Sequence, residues 1–393
     1  MKRILFVFLI IATSVFAQFA GGNGTSGNPY QIATALQLDS VRNHLTNYYV
    51  LNNDIDLSSY ANWIPIGAQT NGAFSGNFNG RGYSILNLKI TSLYYNVASS
   101  SSRAGLFWQI NYTSVTDTVV RNLTIKNFNI TINDNGTGIS LFYPVQIGVL
   151  AGNVLFSSTN KLMSIKIKQG IINVTLNNIY DNLYFANLAP FLSANRPTVL
   201  YCSAINDTIS VFVSASNPQP HVGALTVSSP SLVDINQCFV EKVKLTSNRN
   251  YSYMSGLTDR GGVQNSYAII SISSIGLNSQ GLASIDGTTN NSYSVPTRLN
   301  QSLSGFCDYY TNSVSSCYYD STVFSSATDA LQGGMTPRAV PKSTSDMKTQ
   351  TTYVGWDFTN IWKIDPLINS GYPYLRNNPP DITLAIKRLR VRR

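Results

Sequence analysis

Apolar or small residues occupy every second position at Phe74, Gly76, Phe78, Gly80 and Gly82, and after Arg81 the alternation resumes at Tyr83, Ile85 and Leu88. A period of two marks a strand with one buried face. The intervening Gly and Asn are poor residues for an open, solvated sheet, but they suit a backbone that turns repeatedly and stacks on its neighbours. Two short strands joined at a glycine corner predict that residues 62–88 form one coil of a solenoid. Residues 48–57 predict a strand with Leu51, Ile55 and Leu57 inward. Residues 119–132 (Val120, Leu123, Ile125, Phe128, Ile130, Ile132) and 161–176 (Met163, Ile165, Ile167, Ile171, Ile172, Val174, Leu176) predict further strands. Lys166 and Lys168 alternate outward from the latter and read as a solvated face. Thr34 caps a helix through Arg42, with Leu36, Leu38 and Val41 available to pack over the first coil.

A looser repeat follows. One half reads glycine then apolar, in residues 104–110 (AGLFWQI), 147–153 (IGVLAGN), 222–227 (VGALTV), 255–259 (SGLTD), 280–285 (QGLASI) and 304–308 (SGFCD). The other half is a small residue, an aromatic and a strand, as in QCFVEKV, NSYAIIS, NSYSV and SCYYD. From Cys238 to Ser266, Ser292 and Cys317 the steps are 28, 26 and 25 residues, one coil each. Glycine is expected to give each corner its positive φ.

The order Gly24, Thr25, Pro29, Tyr30, Leu51, Asp54, Asp56, Leu57, Trp63, Pro65, Ile66, Gly67, Phe74, Gly76, Phe78, Gly80 and Gly82 resembles the N-terminal module of secreted bacterial proteins with GLUG-type repeats. It is also similar to the region ahead of the catalytic part of IgA-cleaving metallopeptidases. The GWDF, W-x-I and GYPYL series in residues 355–375 resembles the closing segment of the same family. The resemblance implies an all-β, right-handed parallel β-helix with a short N-terminal cap helix, outside a cell, in adhesion more often than catalysis. The expected organisation is a signal peptide (1–17), a cap (18–60), GLUG-like coils (61–328), a loop and aromatic closure over the last coil (329–376), and a linker with a basic tail (377–393).

Composition agrees with stacked coils. Charged residues make up 11% of the chain, against about 25% in ordinary domains. Like charges stacked at about 4.8 Å repel, whereas Asn and Thr hydrogen-bond along the stack. The net charge of +9 concentrates at the two ends, in Lys2 and Arg3 and in Lys387, Arg388, Arg390, Arg392 and Arg393, so the body carries no nucleic-acid footprint. Met1-Lys2-Arg3, an apolar run and Ser14-Val15-Phe16-Ala17 read as a secretory signal cleaved after Ala17, and no later stretch is apolar for long enough to span a bilayer. A secreted chain permits disulfides. Cys307 and Cys317 enclose a short loop and are the expected pair, while Cys202 and Cys238 share a repeat slot, where they stack or bridge.

Catalytic signatures are missing. His44 and His221 lack partners in sequence, and there is no H-E-x-x-H, no metal-ligand spacing, and no nucleotide fingerprint. No cofactor is expected. Asp54 and Asp56 share an outward face, a geometry that suits an acid/base pair or a calcium site with further oxygen ligands, but they read first as turn acids of the fold. Asp117, Asp134, Asp181, Asp207 and Asp234 are scattered. In CDYYTNSVSSCYYD, adjacent tyrosines cannot both face inward, so one of Tyr309 and Tyr310 and one of Tyr318 and Tyr319 should be exposed for binding; a stabilising ladder is the structural alternative. Tyr94 and Tyr95 form a similar pair. The expectation is a non-catalytic cell-surface adhesin or recognition protein for glycans or host surface proteins. The alternatives are a polysaccharide lyase or glycoside hydrolase, or a passive spacer.

Overall fold

The structure, a computed structural model, describes residues 18–69, 72–96, 101–112, 118–133, 144–156, 160–177, 183–191, 197–214, 219–228, 232–249, 252–274, 278–283, 287–298, 303–306, 313–323 and 339–381. The signal-peptide reading of residues 1–17 and the basic tail beyond residue 381 lie outside these.

The chain is nearly all β, and its long sheets are parallel and β-helix-like. Among the described residues, 22 strands join one sheet, eight a second and four a third. One pass of the chain shows the plan: Lys161–Lys168, Ile171–Leu176, Leu183–Ala186 and Ala189–Phe191. The strands of each pass pair in parallel with those of the next. Alternation sends Ile125, Ile167, Ala204, Val240 and Ala268 inward as one ladder, and Ile130, Ile172 and Ile209 as another. The core is therefore a column of identical positions, each filled once per pass.

Two corner columns bend the large sheet. Arg81, Asn122, Ser164, Tyr201, Gln237, Asn265, Asn291 and Ser316 hold φ between 45° and 55°. Asn87, Asn127, Gln169, Asn206 and Lys242 hold φ between 56° and 61°. Asn is frequent because it tolerates the left-handed region. Its amide also bridges passes, as in Asn122 Nδ2 to Asn79 Oδ1 at 3.3 Å.

The repeat glycines play a different part from the one expected. Gly105, Gly148, Gly223, Gly256 and Gly281 are not among the positive-φ residues. They are glycine because backbones approach closely: a Cβ on Gly105 would lie 2.4 Å from Gly148 O, and one on Gly281 would lie 2.1 Å from Gly305 O. The structure aligns these corners on the buried apolar residue. Phe107, Leu150, Leu188, Leu225, Leu257, Leu282 and Phe306 form one column. Glycine stands two residues before it in the upper passes and one before it at Gly256, Gly281 and Gly305. A glycine-based reading therefore overlooks the pass through Ala186, Asn187 and Leu188.

The small-residue slot has a physical cause as well. Cys202 N–H donates to Cys238 Sγ (3.2 Å), Cys238 N–H to Ser266 Oγ (3.0 Å), and Ser266 N–H to Ser292 Oγ (3.1 Å). Each pass supplies a side-chain acceptor for a buried N–H that the corner leaves without a carbonyl. Cys202 and Cys238 therefore stack as free, buried thiols, and burial pushes the Cys238 thiol well up. Cys307 lies outside the described residues, and with it the expected Cys307–Cys317 bond.

At the N-terminus, Ala35–Asp39 is α-helical, with Thr34 Oγ1 accepting from Gln37 N–H, and Ser40–Asn43 continues as a 3-10 turn. Leu38 and Val41 are buried as expected, but Leu36 is 68% exposed. Nearby, Phe19 stacks on Tyr30 at 4.3 Å and meets Tyr49 edge-on at 5.7 Å.

The C-terminal aromatic segment packs on the outer face of several passes, the last included, where Trp356 Nε1 donates to Ser316 O (2.8 Å) and Tyr372 Oη to Asp320 Oδ2 (2.6 Å). Met347, Tyr353, Trp356, Trp362, Tyr372 and Leu375 cover Phe239, Tyr267, Tyr293 and Tyr318, which are register partners on one outward ladder. Inside the stretch expected to be loop, Val340–Lys342 adds a further parallel strand beside Tyr318–Asp320.

Candidate recognition surface

The outward positions of the strands are the surface on which a ligand can act. Tyr309 and Tyr310 lie outside the described residues. Tyr318 points outward and Tyr319 inward, as alternation requires, yet Tyr318 is 7% exposed and Tyr319 1%. The expectation that one of this pair is exposed is corrected: the outward ring lies under Tyr353, at 5.1 Å, and Trp356, at 5.9 Å. Alternation fixes direction, and a second layer removes exposure. Here the rings form the stabilising ladder, with Phe239, Tyr267 and Tyr293 stacked at 5.0 Å. Tyr293 Oη donates to Pro373 O (2.7 Å) and receives Asn369 Nδ2 (2.8 Å). Burial pushes the Tyr267 and Tyr293 phenols well above the ordinary tyrosine range. Tyr94 and Tyr95 are half-buried on a short antiparallel strand, and Asn62 Nδ2 donates to Tyr94 Oη at 3.0 Å.

The next ladder is open. Its outward positions form a grid in register: Asn129, Thr131 and Asn133 face Ile171, Asn173 and Thr175, and these face Thr208, Ser210 and Phe212. Lys244 with Thr246 and then Ser271 with Ser273 continue it. Every named position is exposed or half-buried, while the residues between them are buried. Ile171 is 48% exposed and Phe212 38%. Rows lie about 4.8 Å apart, so the face is flat and densely polar. Of these positions only Lys244 is charged.

The expected turn acids behave as such. Asp54 accepts from Ser84 N–H (2.7 Å), and Asp56 accepts from Ser58 N–H (2.9 Å) and Asn87 Nδ2 (2.8 Å). The Asn87 amide first, then Ser58, holds the Asp56 carboxyl below its usual value. Asp207 sits beside the second corner column, 1% exposed, and accepts from Gly170 N–H (3.0 Å) and Ile205 N–H (3.2 Å). Burial outweighs these donors and pushes its carboxyl up to about 8. Asp117, Asp134 and Asp181 lie outside the described residues, and among those described no three or more His, Cys, Asp or Glu side chains converge.

Sequence reasoning missed one pair. His221 Nδ1 lies 2.7 Å from Asp259 Oδ2, and Asp259 Oδ1 accepts from Ser228 N–H at 2.6 Å. His221 packs between Tyr253, stacked at 4.7 Å, and Tyr184, at 5.2 Å. The two partners are 38 residues apart; the register partner of His221 in the next pass is Tyr253, and Asp259 returns to it from beyond the following corner, so only the stacking of passes brings them together.

No family model matches the chain. Over 161 residues it is 37% identical to a provisionally named Gly-rich membrane protein of Evansella cellulosilytica, a match taking in 38% of this chain and 16% of that protein. Over 130 residues it is 32% identical to halomucin of Haloquadratum walsbyi, taking in 30% of this chain and 1% of that protein. The chain thus spans a small part of the curated relatives it matches. Among solved structures it is similar to a protein of Bacteroides ovatus provisionally named an immunoglobulin A1 protease, with TM-score 0.52, 16% identity, and coverage of 92% of this chain and 96% of that one. The likeness is one of fold. It accords with the expected resemblance to part of IgA-cleaving proteins and carries no activity with it. Among the described residues no helix is long and apolar enough to cross a membrane.

Proposed function

We propose that the chain is a secreted or surface-displayed right-handed parallel β-helix of the GLUG-repeat kind. Its role is that of a non-catalytic adhesin or recognition module for glycans or host surface proteins. The observation that carries this reading is the open flank. A flat grid of Asn, Thr and Ser, with exposed Phe212 and Ile171 within it, offers amide and hydroxyl partners to sugar hydroxyls. It also offers apolar patches on which a sugar face or a partner side chain can rest. Its near-neutrality favours contact without electrostatic steering.

The test is a glycan array with the chain from Gln18 to Arg393, scored for binding and for cleavage. Saturable binding without cleavage, weakened by Phe212→Ala, is expected. Cleavage would instead favour the second reading, a polysaccharide hydrolase or lyase. In that reading His221, oriented by Asp259 at 2.7 Å, is the first general base to mutate.

A further inference from the structure

The covered ladder changes character along the stack. Where Ile205, Glu241 and the aromatic ladder lie lower down, the upper passes present Lys126, Lys166 and Lys168 at corresponding outward positions. Beside them stand the corners Arg81, Asn122 and Ser164. Lys166 and Lys168 with these corners line a groove of about 670 Å³ that Thr124 and Asp381 also border.

The lower continuation of this groove is filled by the chain itself. After Arg376, the stretch read in sequence as a linker is laid along the corner column. Asn378 is 2% exposed, and its Nδ2 donates to Cys202 O (3.1 Å) and Gln237 O (3.2 Å). Asp381 then reaches the groove, its Oδ2 accepting from Lys168 Nζ at 2.9 Å, while Pro379 O lies 3.4 Å from Lys166 Nζ. Both contacts join residues 213 apart in sequence. Burial depresses the Lys166 ammonium, which reaches the neutral Pro379 carbonyl only at 3.4 Å. Arg81 has one 3.3 Å bond to Asn52 Oδ1 and is otherwise exposed. Arg81, Lys166 and Lys168 thus face a single carboxylate.

We propose that this groove binds a carboxylated or sulfated glycan chain, and that Asp381 occupies one anion position until the ligand displaces it. Three features choose this ligand. The cations exceed the internal carboxylate, so further anions are favoured there. The remaining lining is amide and hydroxyl, from Asn79, Asn122, Thr124 and Ser164, which suits sugar hydroxyls. No aromatic ring lines the groove among the described residues, whereas single-stranded nucleic acid binds on stacking platforms. The lower half of the groove already accepts an extended strand of chain, so the upper half has a shape for another. The site is separate from the open flank, and either can fail without the other.

The test is calorimetric titration of the full chain from Gln18 with hexagalacturonate and with a heparin hexasaccharide, using an oligothymidylate as the rival ligand. Binding to one or both saccharides, weakening with salt, is expected; which one binds assigns carboxylate or sulfate as the source. Arg81→Asn keeps a residue suited to positive φ and should weaken binding about tenfold, as should Lys166→Gln. Asp381→Asn should tighten binding about three- to tenfold, because the competing occupant is weakened. Thermal melts establish that each variant is folded, and Lys166→Gln removes a desolvated charge, so its fold is not at risk. Failure of both saccharides to bind, binding indifferent to Arg81 and Lys166, weaker binding by Asp381→Asn, or tighter binding of the oligothymidylate would each overturn the proposal.

Discussion

Two neighbouring ladders of this molecule obey the same alternation and end with opposite surfaces. On one, the outward positions Phe239, Tyr267, Tyr293 and Tyr318 are buried beneath the C-terminal segment. On the other, Asn173, Ser210, Thr246 and Ser273 stand in the same kind of register with no described layer above them. The strands are equally regular, so the difference does not come from secondary structure. It comes from whether a second layer exists to dry the face. Aromatic rings stacked at 5.0 Å gain burial and offset stacking when covered. Uncharged hydroxyls and amides keep their solvation when open.

The sharpest way to break this comparison is to remove the cover. Trp362 is fully buried and lies 6.1 Å from Tyr293 and 4.4 Å from Trp356. Trp362→Ala should cost about 3–5 kcal/mol, read as a shift in the urea midpoint with loss of near-UV circular dichroism. A cost under about 1 kcal/mol would mean that the segment is ornament rather than a layer. A smaller effect is expected within the glycine column. Gly281→Ala places a methyl 2.1 Å from Gly305 O and should destabilise by about 1–3 kcal/mol. Gly82→Ala meets nothing within 4 Å and is strained only by its φ of +88°, so it should cost about 1 kcal/mol. Equal losses at the two sites would contradict the close-approach account.

Between the two ladders, Asp207 gives a pH signature. Its carboxyl rises from 3.8 to about 8 on folding, so the folded state holds the proton over a range where the unfolded chain has released it. The stability that Asp207 contributes is therefore fully present below about 4 and declines as pH rises towards about 8. Asp207→Asn should flatten that slope in melts taken across this range. An unchanged slope would place the pH dependence elsewhere. The smallest expected change in stability is on the open flank, where Phe212→Ala should stay within about 0.5 kcal/mol. The same variant should still lower glycan binding. A large stability loss with intact binding would reverse the assignments of the two ladders.

Much of the fold was legible along the chain. Alternation from Phe74 to Leu88, the recurrence of Cys238, Ser266, Ser292 and Cys317, and the Thr34 cap are local signals, because a strand, a corner and a cap are each set by a few adjacent residues. Local pattern also gave Tyr318 and Tyr319 their opposite directions. It could not give their exposure, since the covering rings of Tyr353 and Trp356 belong to a later segment whose docking face is not encoded at positions 318 and 319. For the same reason the partner of His221 was invisible, as Asp259 lies beyond Tyr253, the register partner of His221 in the next pass, and meets it only when the passes stack. So was the approach of Asp381 to Lys168 across 213 residues. Sequence by itself determined the period, the corners and the direction of each side chain, because those follow from backbone geometry over a few residues. The tertiary structure alone decided which face is covered, which glycines are fixed by neighbouring backbone, and which distant charges meet, because these depend on stacking one pass upon another.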